Sequence, residues 1–168
     1  MAVARVLVSA CLLGADVRYH GGSARIDSPI LQRWRDEGRI VGVCPEMAGG
    51  LGAPREPAEA AGGDGRDVLD GRATVVTRGG RNVTAALRAG ADQAVAVARE
   101  LGLKVAVLKS RSPSCAVTQI YDGTFSGRLA DGSGVTAAAL QRAGVLVFDE
   151  TQLVEADAAL RRLDGQFF

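Results

Sequence analysis

Four short apolar runs punctuate the 168-residue chain: Ala4–Ala10 (ARVLVSA), Arg39–Val43 (RIVGV), Lys104–Ser110 (KVAVLKS) and Val145–Glu150 (VLVFDE). Each is nearly continuous rather than alternating, the pattern of parallel strands covered on both faces. The segments between them carry helical spacing. Ser28 can cap a helix that starts at Pro29, runs through ILQRWRDE and stops at Gly38. From Thr84 to Leu101 the apolar positions Leu87, Ala91, Ala94, Val95, Ala98 and Leu101 fall on one helical face, and Gly102 ends it. Val135–Ala143 closes at Gly144 in the same way, and a last helix after Glu150 carries Leu153, Ala156, Leu160 and Leu163. Strand alternating with helix predicts a three-layer αβα domain, Rossmann-like or flavodoxin-like, with a mostly parallel sheet. Two regions depart from this alternation. Glu46–Gly71, rich in Gly, Pro and charge, reads as a long functional loop. Ala73–Thr84 (ATVVTRGGRNVT) alternates around Gly79-Gly80 and reads as a small hairpin over one sheet edge. No linker divides the chain, so residues 1–168 are expected to form one domain.

Charge narrows the choice of partners. Twenty basic residues against nineteen acidic ones leave no electrostatic footprint for duplex nucleic acid. No apolar run approaches the roughly 20 residues of a bilayer span. The N-terminal VLVSAC could be an export signal, but only five residues separate Arg5 from Cys11, and one of them is Ser9. That is shorter than the about 7–15 apolar residues such a signal needs, so a buried first strand and a cytoplasmic protein are expected. Thiols stay reduced there, and an odd count of three cysteines points to metal or reactive-thiol chemistry rather than a disulfide framework.

The cysteines fall at related places. Cys11 follows the first strand, Cys44 closes the second, and Cys115 lies a few residues beyond the third. Ligands of an open parallel sheet gather outside the carboxyl ends of its strands. Three converging thiolates suit zinc, copper(I) or an iron–sulfur cluster. There is no C-x-x-C pair, and the one histidine, His20, could complete a Cys3His zinc site or be a plain surface residue. A [4Fe–4S] cluster held by three cysteines would leave one iron open to substrate. The Cys11…Arg18 spacing is one residue too long for the C-x5-R phosphate cradle of cysteine phosphatases.

The flanking residues add chemistry. In Cys44-Pro45-Glu46 the proline stiffens the exit from the strand and keeps Glu46 near the thiolate, suited to proton transfer. In MAGGLGAPREP the glycines permit close approach of backbone to a ligand, and Arg55 can anchor an anion or carbonyl. Ser112-Pro113-Ser114-Cys115 repeats the rigid-proline design, with Ser112 and Ser114 able to donate to a cluster sulfur or a substrate atom. Lys109 can offset cluster charge or simply snorkel. Tyr121–Gly127 (YDGTFSG) is either a well-made turn or a lid that packs an aromatic over a planar ligand, with Tyr121 a candidate substrate contact.

Taken together, VSACLLG…VRYHGG, VCPEMAGGL…PREPAE, GRNVTAALRAGA, LKSRSPSC and IYDGTFSG resemble the thiouracil desulfidase family, in the same order from about Val8 to Glu150. The resemblance implies a [4Fe–4S] cluster on Cys11, Cys44 and Cys115, with Glu46 and Ser112 catalytic. It implies removal of sulfur from a small thiolated base by Lewis-acid binding of the C=S sulfur to the open iron. Hydrolysis then releases sulfide without net redox change. Ala116 stands where the family commonly has glycine after the third cysteine, His20 where aspartate is usual, and Asn82 and Leu87 replace the usual Asp and Phe. None of these departures removes a ligand. The same cysteines could instead serve a non-catalytic metal-binding or redox-sensing module, or a sulfur-transfer protein.

Overall fold

The computed structural model describes residues 3–165. In chain order its elements are β1 (Val6–Ser9), a 3-10 turn (Ala10–Leu13), α1 (Pro29–Asp36), β2 (Ile40–Val43), α2 (Pro45–Ala48), β3 (Ala58–Ala61), α3 (Gly65–Leu69) and β4 (Thr74–Thr77). There follow α4 (Thr84–Leu101), β5 (Val105–Leu108), β6 (Gln119–Tyr121), β7 (Leu129–Asp131), α5 (Val135–Arg142), β8 (Leu146–Asp149) and α6 (Leu153–Gly165).

The four apolar runs form one parallel sheet in the order β2-β1-β5-β8. Successive side chains point to opposite faces, and the two faces meet different helices. Val6, Val8, Val105 and Val107 pack with Leu31 and Trp34 of α1 and Ala156 and Leu160 of α6. Leu7, Ala106 and Leu108 pack with Ala94 and Ala98 of α4 and Leu140 of α5. Burial on both faces is why these strands lack alternation in sequence. The chain leaves β1 toward β2 on one side and then crosses to β5 on the other. The strand order therefore reverses at β1, and a crevice opens at the carboxyl ends there. Register keeps those ends level: Ser9 stands opposite Val43, Val8 opposite Val107, and Leu108 opposite Asp149.

The helix boundaries follow the local signals. Ser28 Oγ accepts from Ile30 N–H at 3.2 Å, Pro29 opens α1, and α4 ends at Gly102 in the left-handed region.

The two irregular regions differ from the expectation. Glu46–Gly71 is not a plain loop: it holds α2, β3 and α3. The Ala73–Thr84 stretch does turn back at Gly79-Gly80, but its second arm returns only one bridge, Val76 to Asn82. The main partner of β4 is β3, antiparallel from Ala58↔Thr77 to Ala61↔Thr74, in a sheet separate from the parallel one. The second arm is drawn into the start of α4 instead, where Thr84 Oγ1 accepts from Val75 N–H at 2.9 Å and Asn82 Oδ1 accepts from Thr84 N–H at 3.0 Å. A further antiparallel pair, β6 and β7, flanks the Asp122–Gly127 turn.

Candidate active site

Cys11, Cys44 and Cys115 line one cavity of about 430 Å³ at the carboxyl edge of the sheet, together with Glu46, Arg55, Lys109, Ser112 and Tyr121. All three cysteines are free, and two are buried. Cys11 lies in the 3-10 turn that leaves β1, a turn closed by Gly14 at φ 103°. Its thiol is pushed up to about 11, chiefly by burial and then by Cys44, against the opposing charges of Lys109 and Arg18. Burial also pushes Cys115 up to about 12, with Glu46 adding to the effect and a hydrogen bond from Ser9 opposing it. Cys44 is raised by burial, partly offset by the Met47 backbone N–H at the start of α2.

Three sulfurs in such surroundings resist carrying negative charge unless a cation sits among them. Among the described residues, no three His, Cys, Asp or Glu side chains close on a single metal ion. Soft sulfur donors set around one cavity, with hydrogen bonds aimed at two of them, fit a larger iron–sulfur group. His20 takes no part in the cavity lining: it is exposed, accepts from Gly22 N–H at 3.0 Å, and stands edge-on to Tyr19. The Cys3His zinc arrangement is therefore not formed.

The C-P-E segment is fixed by contact between backbones. A Cβ at Gly90 in α4 would overlap the Pro45 carbonyl oxygen, and one at Gly49 would overlap the Ala86 carbonyl. Only paired glycines let α2 lie this close to α4. Glu46 is held from its other end. Arg55 donates to Glu46 Oε2 through Nη2 at 2.7 Å and Nε at 3.2 Å, and through Nη1 to the Val17 and Gly52 carbonyls at 2.9 and 3.0 Å. Arg55, read from sequence as an anchor for substrate, thus lines the cavity while four of its five donors hold protein groups. Glu46 Oε1 has no hydrogen bond to the described residues.

The two serines of S-P-S-C part company. Ser112 lines the cavity, and its Oγ accepts from Cys115 N–H at 2.7 Å and Ser114 N–H at 3.2 Å. Two donors occupy its lone pairs, so its own proton is left for a further partner. Ser114, expected as a substrate contact, is fully buried, does not line the cavity, and shares a 2.8 Å hydrogen bond with Thr136. The tight turn sends alternate side chains to opposite sides, and Ser114 ties Cys115 to the start of α5. Gly134 permits this approach, since a Cβ there would overlap the Ser114 carbonyl group.

Tyr121 sits where the sequence placed it, on the cavity wall, with Phe125 and Gly127 of the following turn. Lys109 also lines the cavity and pairs with Glu150 at 3.6 Å. Ser9 joins the site without a motif to mark it. Its Oγ accepts from Lys109 N–H at 3.0 Å and donates to Cys115 Sγ at 3.6 Å. The signal was a hydroxyl closing an otherwise apolar buried strand. Arg78 and Arg111 also line the cavity, with Arg18, and form no ion pair among the described residues. Arg111 lies inside the LKSRSPSC block, but nothing local ties it to Arg78, which comes from a segment far away in sequence.

The family model for 2-thiouracil desulfurase matches residues 6–152, a span that contains every residue of this cavity. The chain belongs to the 2-thiouracil desulfurase family. It is 46% identical over 148 residues to YbbK of Bacillus subtilis (strain 168), described as uncharacterized, covering 88% of this chain and 97% of that protein. Among solved structures it is similar to a [4Fe-4S]-dependent thiouracil desulfidase, TudS, at 44% identity and a TM-score of 0.86. That match covers 94% of this chain and 98% of the other.

Proposed function

We propose that this protein is a [4Fe–4S]-dependent desulfidase that removes sulfur from a thiolated nucleobase of the thiouracil type and releases it as sulfide. One observation carries the reading: cysteines in the segments that follow three neighbouring strands line a single cavity with Glu46 and Ser112. Cys11, Cys44 and Cys115 would hold the cluster, which supplies, when bound, a Lewis-acidic iron without a protein ligand and with affinity for thiocarbonyl sulfur.

The remaining chemistry belongs to the chain. Replacement of C=S by C=O consumes one water and yields hydrogen sulfide, so only protons need to move. Arg55 fixes Glu46 through Oε2 and leaves Oε1 available to accept a proton from the attacking water. Ser112, its lone pairs engaged by two backbone N–H groups, donates its proton to a ring nitrogen or oxygen and orients the base. Tyr121 contributes apolar wall. Arg18, Arg78 and Arg111 add positive charge to the cavity wall, which can also receive an anionic group carried on the base, such as a phosphate. In this reading the whole chain works as one α/β domain in the cytoplasm, where its thiols stay reduced. No helix of the described residues is long and apolar enough to cross a membrane.

Anaerobic reconstitution followed by incubation with 2- and 4-thiouracil tests the reading. About four irons per chain and stoichiometric sulfide release are expected. A holoprotein with intact cluster that releases no sulfide from a panel of thiolated bases would overturn it.

A further inference from the structure

We infer that Phe125, held in place by the buried carboxylate of Glu59, is the surface on which the ring of the substrate stacks. The inference rests on the desulfidase reading and adds a specificity-determining residue and the residue that positions it. Backbone conformation gives the first indication. Among the described residues only two non-glycine positions have positive φ, Arg111 at 72° and Phe125 at 55°, and both line the cavity. An L side chain enters that region only where its surroundings enforce it, and such positions gather at functional sites.

The enforcing group is identifiable. Glu59, on β3, is 9% exposed and forms no ion pair among the described residues. Its Oε1 instead accepts from Gly123 N–H at 3.0 Å and from Phe125 N–H at 3.1 Å. Hydrogen bonds to a carboxylate are the strong kind, and two of them on one oxygen fix the first half of the turn, from Gly123 to Phe125. The turn also sits directly on β3: a Cβ at Gly123, φ 92°, would lie 2.5 Å from the Ala60 carbonyl oxygen. The next segment completes the clamp, with the Arg78 guanidinium 5.7 Å above the Phe125 ring. A small antiparallel sheet thus supplies two groups whose shared object is one half-buried aromatic in the cavity wall.

A thiolated pyrimidine is planar and presents a π face, and aromatic side chains bind such faces whatever the ring substituents. Of the aromatics on the cavity wall, Tyr19 is exposed and turned edge-on to His20, and Tyr121 belongs to the strand itself. Phe125 is the one whose backbone is strained to present it.

The test uses anaerobically reconstituted holoproteins of wild type, F125A, F125L, F125Y, E59A and E59Q. Iron content, kcat and KM for 4-thiouracil, and the Kd of uracil by calorimetry are read on each. F125A is expected to raise KM and the uracil Kd about ten-fold or more, with iron content unchanged. F125L should fall between, and F125Y should stay near wild type. E59A should move the same two constants in the same direction, and E59Q should restore them because an amide oxygen still accepts both N–H groups. Wild-type KM and uracil Kd in F125A would overturn the inference, as would a loss of iron in F125A or E59A that accounts for the whole change. If wild type itself releases no sulfide, the functional reading fails, while the uracil Kd values still decide whether Phe125 stacks the ring.

Discussion

The two walls of the cavity are built differently. The sulfur-bearing wall rises from the ends of the parallel strands and is locked by contacts between backbones: Gly90 on Pro45, Gly49 on Ala86, Gly134 on Ser114. The facing elements, β3, β4 and the Asp122–Gly127 turn, have one such contact, Gly123 on Ala60, and are otherwise fastened by side chains, through Glu59 and through Arg78 over Phe125. Backbone contacts of the first kind leave no room for adjustment, since any added carbon collides. Side-chain fastenings can be exchanged one at a time. The rigid wall suits a ligand set that must keep its spacing whatever the substrate, and the adjustable wall suits discrimination among substrates.

The comparison can be broken most completely at the thiolates. Cys44→Ser is expected to lose iron and to bring sulfide release to background, checked by metal analysis and sulfide assay on the same sample. Glu46→Gln should separate chemistry from assembly, retaining iron while kcat falls about 10²- to 10⁴-fold, the range of a lost general base. Gly90→Ala tests the rigidity itself. Mid-helix Gly→Ala usually adds about 1 kcal/mol. Here the new Cβ meets the Pro45 carbonyl, so a loss of about 1–3 kcal/mol in urea unfolding and poorer iron retention are expected. On the adjustable wall, Arg78→Gln should keep iron and raise KM several-fold for a phosphorylated thiouridine and by less for thiouracil, since the guanidinium also holds Phe125. Arg111→Gln, beside Ser112 on the other wall, should keep iron and raise the first KM while leaving the second nearly unchanged.

The smallest effect lies away from both walls. Burial opposes ionisation of Asp157, but hydrogen bonds from Trp34, Arg161 and Arg33 outweigh it and hold the carboxyl at about 2. A carboxyl lowered on folding stabilises fully above its unfolded value near 4, and that stabilisation fades as pH falls through about 2. Asp157→Asn should therefore lower Tm by a few degrees at neutral pH, with the gap to wild type closing between about pH 4 and pH 2 in thermal scans.

The parallel sheet and its four covering helices were legible because burial on two faces and helical spacing are one-dimensional patterns. The strands that Cys11, Cys44 and Cys115 follow were legible for the same reason. β3 was not legible. Its sequence AEAA carries no strand signal of its own, and it exists because β4 needed a partner once Thr84 drew the second arm into α4. The site was legible in part. Which of Ser112 and Ser114 faces the cavity depends on how one turn folds back, and whether Arg55 serves substrate or Glu46 depends on carbonyls at Val17 and Gly52 that sequence does not bring near. Arg18, Arg78 and Arg111 meet only through the tertiary fold.

The only tryptophan of the chain, Trp34, is completely buried, donates to Asp157 at 2.9 Å, and belongs to the same core cluster as Cys11. That placement makes the protein its own optical gauge. Indole in a dry core emits at short wavelength and shifts to the red when the chain unfolds. Iron–sulfur clusters absorb across the emission band of tryptophan and drain its excited state by energy transfer. Dimming without a colour shift would then report a filled site, and a colour shift would report a lost fold, on the same cuvette without any label.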